Sequence, residues 1–303
     1  MSIPGLRKEK ILLSCKTGED LEMVYLDNHN TTGSPTLLLV HGLFDHKGTW
    51  SRLCPHLDRR FRLVAPDLIG FGHSSKPLLN HLPTSYRYSA PMHAEHLRRF
   101  IIQAKLDDLI LVGHSLGGGI ALYLALAFPE LQGRIRGLVL IGAAGYPQEP
   151  PGYIRELGGW MGTLMNNPLV RQLAFRSGLV SWAVRKGFER TFYDRHRIAP
   201  ELTATTLDIL KSRNIFYAYK TAAQNVVPSG HRELVERFAE IICPTLVIWG
   251  REDRIVAVLS ALRFKEDIPH ADLHIIEQCG HSPHLEHPQQ VAGFIGGWTE
   301  DNF

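Results

Sequence analysis

No run of about 18 apolar residues, the length a membrane-spanning helix needs, occurs anywhere in this 303-residue sequence. The opening stretch, MSIPGLRKEKILLSCKTGEDLEM, lacks the long apolar core of a secretory signal. Cysteine is scarce. Cys15, Cys54, Cys243 and Cys279 are widely spaced and form no CxxC pair, and a chain this large can bury its own core without disulfides. They read as reduced thiols, and a soluble cytoplasmic protein is the expectation. An excess of one charge is also missing. The 33 basic residues barely exceed the 30 acidic ones, so there is no global electrostatic case for nucleic-acid binding. Glycine and proline follow no triplet period and no internal repeat is visible, which excludes collagen-like and low-complexity chains.

What is present is a series of short apolar runs bounded by turn residues: 21–26, 36–40, 61–65, 109–112, 138–141, 245–249 and 273–276. They are continuous rather than alternating, as in strands covered on both faces of a parallel sheet. Helical patterns lie between them. One is N-capped by Ser89, with Pro91 in its first turn and Leu97, Phe100, Ile101 and Ala104 on one face; others cover 120–128, 258–264 and 289–298. The alternation predicts a doubly wound, mostly parallel α/β sheet. It fails between 147 and 240, a segment that opens on the proline-rich YPQEPPGY and shows helical patterns only. Residues 1–146 and 241–303 are therefore expected to form the core, and 147–240 a helical insertion.

The run LILVG leads into Gly113, His114, Ser115, Leu116 and Gly117, followed by an apolar helix. Glycines on both sides permit a turn too tight for side chains, which lifts the serine hydroxyl to its apex. The next backbone N–H lies at a helix N-terminus, where it can stabilise an oxyanion. A Gly-Ser-Gly turn can arise by chance. The buried strand before it and the apolar helix after it favour a nucleophile.

Other motifs follow other strands. His41-Gly42-Leu43-Phe44 comes after TLLLV, with Trp50 a few residues on, and DLIGFGHS begins at Asp67. WGRED ends at Asp253, and Cys279-Gly280-His281 follows the last strand. Together these residues resemble the α/β-hydrolase family, in its capped branch of esterases, lipases, C–C hydrolases and epoxide hydrolases. The resemblance covers nearly the whole chain outside the insertion. It implies an α/β-hydrolase core with an inserted helical cap. Ser115 would be the nucleophile and His281 the base that later acts as acid. Asp253 would orient the imidazole, and the N–H groups of Leu43 and Leu116 would form an oxyanion hole. The order Ser, Asp, His is the one this fold uses. Two alternatives stay open at the acid: Asp253 could instead pair with Arg251 or Arg254 at the surface, or Glu252 could take its place. Serine at the elbow, where the family's epoxide hydrolases and dehalogenases carry aspartate, argues for acyl transfer to water. Ser282 stands where the family's C–C hydrolases often carry an aromatic residue.

No metal and no cofactor are expected. His281, His284 and His287 are close in sequence, but Pro283 and Pro288 interrupt them and no helix face would gather three imidazoles. His284 and His287 are expected at the surface or just behind the site, and His93 and His96 on a helix surface. His114 is expected beside Ser115 and is a candidate substrate contact. His41 is expected to hydrogen-bond the backbone, Asp67 to cap N–H groups of a glycine-rich turn, and Cys279 to fill space.

Between 151 and 200, eight basic residues face three acidic ones, interleaved with Trp160, Met161, Met165, Phe175, Trp182, Phe188, Phe192 and Tyr193. One reading is a solvated helix face over an aromatic core. The other is an apolar acyl site, with Phe44, Trp160, Met161 and Trp182 against the substrate and a basic rim able to touch an anionic membrane transiently. The leading function is a serine hydrolase of a small-molecule ester or thioester with an apolar acyl group. The alternatives are a C–C bond hydrolase of vinylogous diketones and a non-catalytic ligand sensor on the same fold.

Overall fold

Eight strands form one sheet in the computed structural model, which describes residues 3–14, 20–30, 35–227 and 231–303. Cys15 lies outside the described residues. The strands are β1 (Arg7–Leu13), β2 (Leu21–Asp27), β3 (Thr36–Val40), β4 (Arg62–Pro66), β5 (Leu109–His114), β6 (Ile135–Ile141), β7 (Thr245–Gly250) and β8 (Ala271–Ile276). Their order is β1-β2-β4-β3-β5-β6-β7-β8. The pairs β1–β2 and β2–β4 are antiparallel and all others parallel. Strand β1 escaped the reading of the sequence. Its residues RKEKILL mix charge with apolar side chains because it is an edge strand, mostly open to solvent.

The period-2 alternation of side chains divides the core in two. Leu38, Val40, Leu111, Leu138, Leu140 and Val247 enter a core on one face. Leu37, Leu39, Ile110, Val112, Val139 and Ile141 enter the core on the other. That is why the strand sequences are continuously apolar. The first core is covered by α1 (Ala90–Gln103) and α2 (Leu116–Ala127). In α1, Leu97, Phe100 and Ile101 are fully buried as predicted, but so is His93, and His96 nearly so. Both imidazoles were expected at the surface. Phe71 and Tyr88 pack on His93 instead, and burial holds it neutral. Ser89 does occupy the N-cap position, yet its hydroxyl donates to the Tyr86 carbonyl and caps no helical N–H.

Between β6 and β7 the described residues form helices and no strand: α3 (Gly152–Gly158), α4 (Trp160–Met165), α5 (Pro168–Arg176), α6 (Leu179–Thr191), α7 (Pro200–Ile209), α8 (Ile215–Gln224) and α9 (His231–Glu236), with short 3-10 turns. The chain then closes with α10 (Leu259–Asp267), α11 (Pro283–Glu286) and α12 (Pro288–Asn302). Strand β7 contributes Leu246 and Ile248 to the second core, where they join Val291, Ile295 and Trp298 of α12.

Asp67, directly after β4, ties two loops together. Its carboxylate accepts from the backbone N–H groups of Lys47 and His73 and pairs with Lys47 Nζ at 2.5 Å, with both side chains buried. A Cβ at Gly72 would fall 2.1 Å from the same carboxylate, and Gly72 has φ +51°. Burial alone would raise this carboxyl, but the hydrogen bond to His73 and the Lys47 charge outweigh it and hold the group well below the carboxylate range. The resulting stability is fully present above about pH 4 and fades as acid protonates the group. Asp67→Asn, which strands a buried ammonium, should cost about 3–5 kcal/mol in urea unfolding at neutral pH. An unchanged midpoint would show that Lys47 finds other solvation.

Candidate active site

Strand β5 ends at His114 and α2 begins at Leu116, leaving Ser115 alone in the turn. Its φ of +53° is in the left-handed region that side chains avoid, a strained conformation held by its surroundings. The Ser115 N–H donates to the Ile141 carbonyl, and its own carbonyl accepts from Ala144 N–H. Neighbouring glycines are required by contact. A Cβ on Gly117 would lie 2.1 Å from the Val40 carbonyl oxygen, and one on Gly113 would lie 2.4 Å from that of Gly117.

The loop after β8 carries His281, and the loop after β7 carries Asp253. His281 Nδ1 lies 2.7 Å from Asp253 Oδ2, with both side chains buried. Asp253 Oδ1 accepts from the N–H groups of Ile255 and Val256, which fixes the carboxylate plane. Glu252 is turned away and accepts from Cys279 N–H. A Cβ on Gly142 would meet His281 Nδ1 at 3.3 Å and Asp253 Oδ2 at 3.5 Å, so the loop after β6 packs against this pair. The loop after β3 closes the other side. A Cβ on Gly42 would lie 3.2 Å from Ser115 Cβ. Leu116, as the first residue of α2, has no intrahelical acceptor for its N–H. His41 shapes this loop as expected: it donates from Nδ1 to the Gly42 carbonyl and accepts at Nε2 from Leu68 N–H.

His114 is buried and its ring faces inward, so its reading as a substrate contact is corrected. Its Nε2 donates to the His281 carbonyl, and its ring packs on His281 and His284. His284, expected at the surface or just behind the site, lies behind it and wholly buried, with Nε2 2.9 Å from Thr49 Oγ1. His287 is half-buried beside the Gln278 carbonyl. The sequence reading missed Asp45. Its carboxylate, His114 and His284 each offer one ligand atom, all within 4.8 Å of one another, the one group among the described residues able to hold a metal ion. The Nδ1 atoms of both imidazoles are buried and unpartnered. Burial pushes Asp45 up to about 7 against the opposing hydrogen bonds from His46 N–H and Thr49, and pushes His284 down to about 3.

Glu286 was also missed. Its carboxylate accepts from Gly280 N–H on one side and from Tyr193 and Asp194 N–H on the other. With the His281 N–H donating to the Thr191 carbonyl, it fastens the end of α6 to the His281 loop. Nothing local in CGHSPHLEHP separates this buried carboxylate from a surface one.

Trp160 and Trp182 are exposed to 63% and 60%, too open for the wall of an enclosed acyl tunnel, and their placement against substrate is corrected. Met161 is half-buried. Phe44 is half-buried beside the elbow, with its ring 4.8 Å from that of Tyr219. An open cleft of about 420 Å³ lies where Tyr153, Lys186, Glu189, Arg190 and Arg195 meet Arg254, the residue after Asp253.

A mostly parallel sheet with a strained Ser115 at the end of β5 and an Asp253–His281 pair beyond β7 and β8 defines an α/β-type hydrolase. The family model for the alpha/beta hydrolase fold matches residues 35–288, and the chain belongs to that family. It is similar to Lipase 3 of Moraxella sp. (strain TA144), with 30% identity over 274 residues, 89% of this chain and 79% of that one. It is also similar to a 2-hydroxymuconate semialdehyde hydrolase of Pseudomonas sp. (strain CF600), with 27% identity over 90% of this chain and 89% of that one. A solved membrane phospholipase A, described as a bacterial virulence factor, superposes with a TM-score of 0.75 at 25% identity, over 98% of this chain and 86% of that one. No helix among the described residues is long and apolar enough to cross a membrane.

Proposed function

We propose that the protein is a serine hydrolase that cleaves a carboxylic ester or thioester with an apolar acyl group. The observation that carries this reading is the 2.7 Å Asp253–His281 contact, together with a strained Ser115 in the turn between β5 and α2. His281 Nε2 takes the Ser115 proton as Oγ attacks the carbonyl carbon. The N–H groups of Leu43 and Leu116 receive the developing oxyanion. His281 then returns the proton to the departing alcohol or thiol, and water repeats the cycle on the acyl-enzyme. Leu43 and Phe44, half-buried at the loop, supply apolar surface for the acyl chain. The helical segment 147–240 would serve as the cap over this site. The 27% identity to a C–C hydrolase favours a second reading, cleavage of vinylogous diketones by the same residues.

A panel of p-nitrophenyl esters, acyl thioesters and ring-fission diketones tests both. With an apolar acyl site, kcat/KM should rise about fourfold per added CH₂, from about 0.8 kcal/mol each, until the site is full. A flat profile measured below micellar concentrations would remove the apolar acyl site. Turnover of ring-fission products alone would move the assignment to the second reading. Absence of both turnover and fluorophosphonate labelling would make the protein a binder on this fold.

A further inference from the structure

Helices α4, α5 and α6 pack in sequence, and each buries a single residue, Gly162, Ala174 and Val180 respectively. Met165, Phe175 and Val184 pack against the core, but six other large apolar side chains point outward. Trp160, Leu164, Leu169, Leu173, Leu179 and Trp182 are between 47% and 71% exposed. Helical spacing collects them: Trp160 and Leu164 are i,i+4 on α4, Leu169 and Leu173 are i,i+4 on α5, and Leu179 and Trp182 are i,i+3 on α6. The scaffold under them is fixed. Asn167 caps α5 through the N–H groups of Leu169 and Val170, with Pro168 at its first position. An apolar face of this kind marks a surface with a partner.

The charge around it says which. Residues 157–188 contain Arg171, Arg176, Arg185 and Lys186 and no carboxylate. Arg171 and Arg176 have no acidic partner among the described residues. Arg185 and Lys186 pair with Glu189 at the end of α6, so a second copy docked through the same face would set the unpaired Arg171 and Arg176 against their own counterparts, with no carboxylate on α4 or α5 to neutralise them. Tryptophan and leucine on helices that carry the unpaired Arg171 and Arg176 instead match the boundary between acyl chains and anionic headgroups. We propose that the outer face of α4, α5 and α6 is a docking surface for an anionic phospholipid bilayer. The other end of α6 holds the His281 loop through Thr191, so the docked helix and the candidate active site are joined by one rigid element.

Binding is read without turnover, so the test stands apart from the hydrolase reading. Vesicles of brominated phosphatidylcholine, with and without phosphatidylglycerol, serve as the probe. Trp50, Trp249 and Trp298 are buried in the core, so bromine quenching reports Trp160 and Trp182. The expected result is cosedimentation and quenching with phosphatidylglycerol vesicles, weakened by salt. Leu169→Ser/Leu173→Ser should weaken binding about tenfold or more, and Arg171→Glu/Arg176→Glu should remove the preference for anionic lipid. An unchanged urea midpoint in each variant shows that the fold is intact. No binding, equal binding to neutral vesicles, or wild-type binding by the leucine variant would overturn the proposal. So would a lipid-free dimer in sedimentation velocity that the leucine variant abolishes, since a second copy would then cover the face.

Discussion

Ser115→Ala is expected to lower kcat on an activated ester by about a thousandfold or more and to abolish fluorophosphonate labelling. The change removes one oxygen from a side chain half-buried at the apex of a turn. The turn is held by backbone bonds to Ile141 and Ala144 and by the glycine contacts around it, none of which involve Oγ. Stability should therefore stay close to wild type in urea unfolding. On the proposed mechanism the loss is large because the site without its nucleophile would keep only binding and the oxyanion donors, and His281 and Asp253 would have nothing to activate. Retained turnover with a wild-type urea midpoint would sink the assignment of Ser115.

Asp253→Asn should cost up to about 10⁴ in kcat, and the structure supplies the reason. Asp253 Oδ1 receives two backbone N–H bonds, from Ile255 and Val256. An asparagine would leave its carbonyl oxygen there, because an amide NH₂ cannot accept those bonds. Its NH₂ would then face His281 Nδ1 and force that nitrogen to be the acceptor. The proton would move to Nε2, the atom that has to take the serine proton. Glu252→Gln is the control. Glu252 is engaged with Cys279 N–H and faces away from the imidazole, so its rate effect should be small. A reversal of the two effects, measured as kcat on the same ester, would place the acid at Glu252.

The Ser115 elbow was legible because its constraints are local: glycine on both sides, an apolar strand before and an apolar helix after. The parallel strands were legible because burial on both faces leaves no polar positions. β1 was not, since an edge strand keeps its charges. His93 and His96 were read as surface residues because imidazole is polar, and only burial in the folded molecule, for His93 against Phe71 and Tyr88, turns them into neutral core groups. Glu286 and Asp45 were invisible for a related reason. Each is defined in part by groups far away in the chain, Glu286 by the N–H groups of Tyr193 and Asp194 and Asp45 by His114 and His284.

The apolar residues of α4 to α6 show the limit most clearly. Their composition requires an apolar surface there, but whether that surface faces inward or outward depends on which side of each helix the rest of the molecule covers. Local sequence determined the fold class, the elbow, and the loops that carry Asp253 and His281, because steric and hydrophobic constraints act over a few residues. Tertiary structure closed the choice left open between Asp253, the position the family resemblance assigned, and Glu252, and it alone decided that His114 is buried against His281 and His284 and that Trp160 and Trp182 stand outside. Each of those outcomes depends on the direction of a side chain relative to a distant segment, and a one-residue difference in position along a loop reverses it.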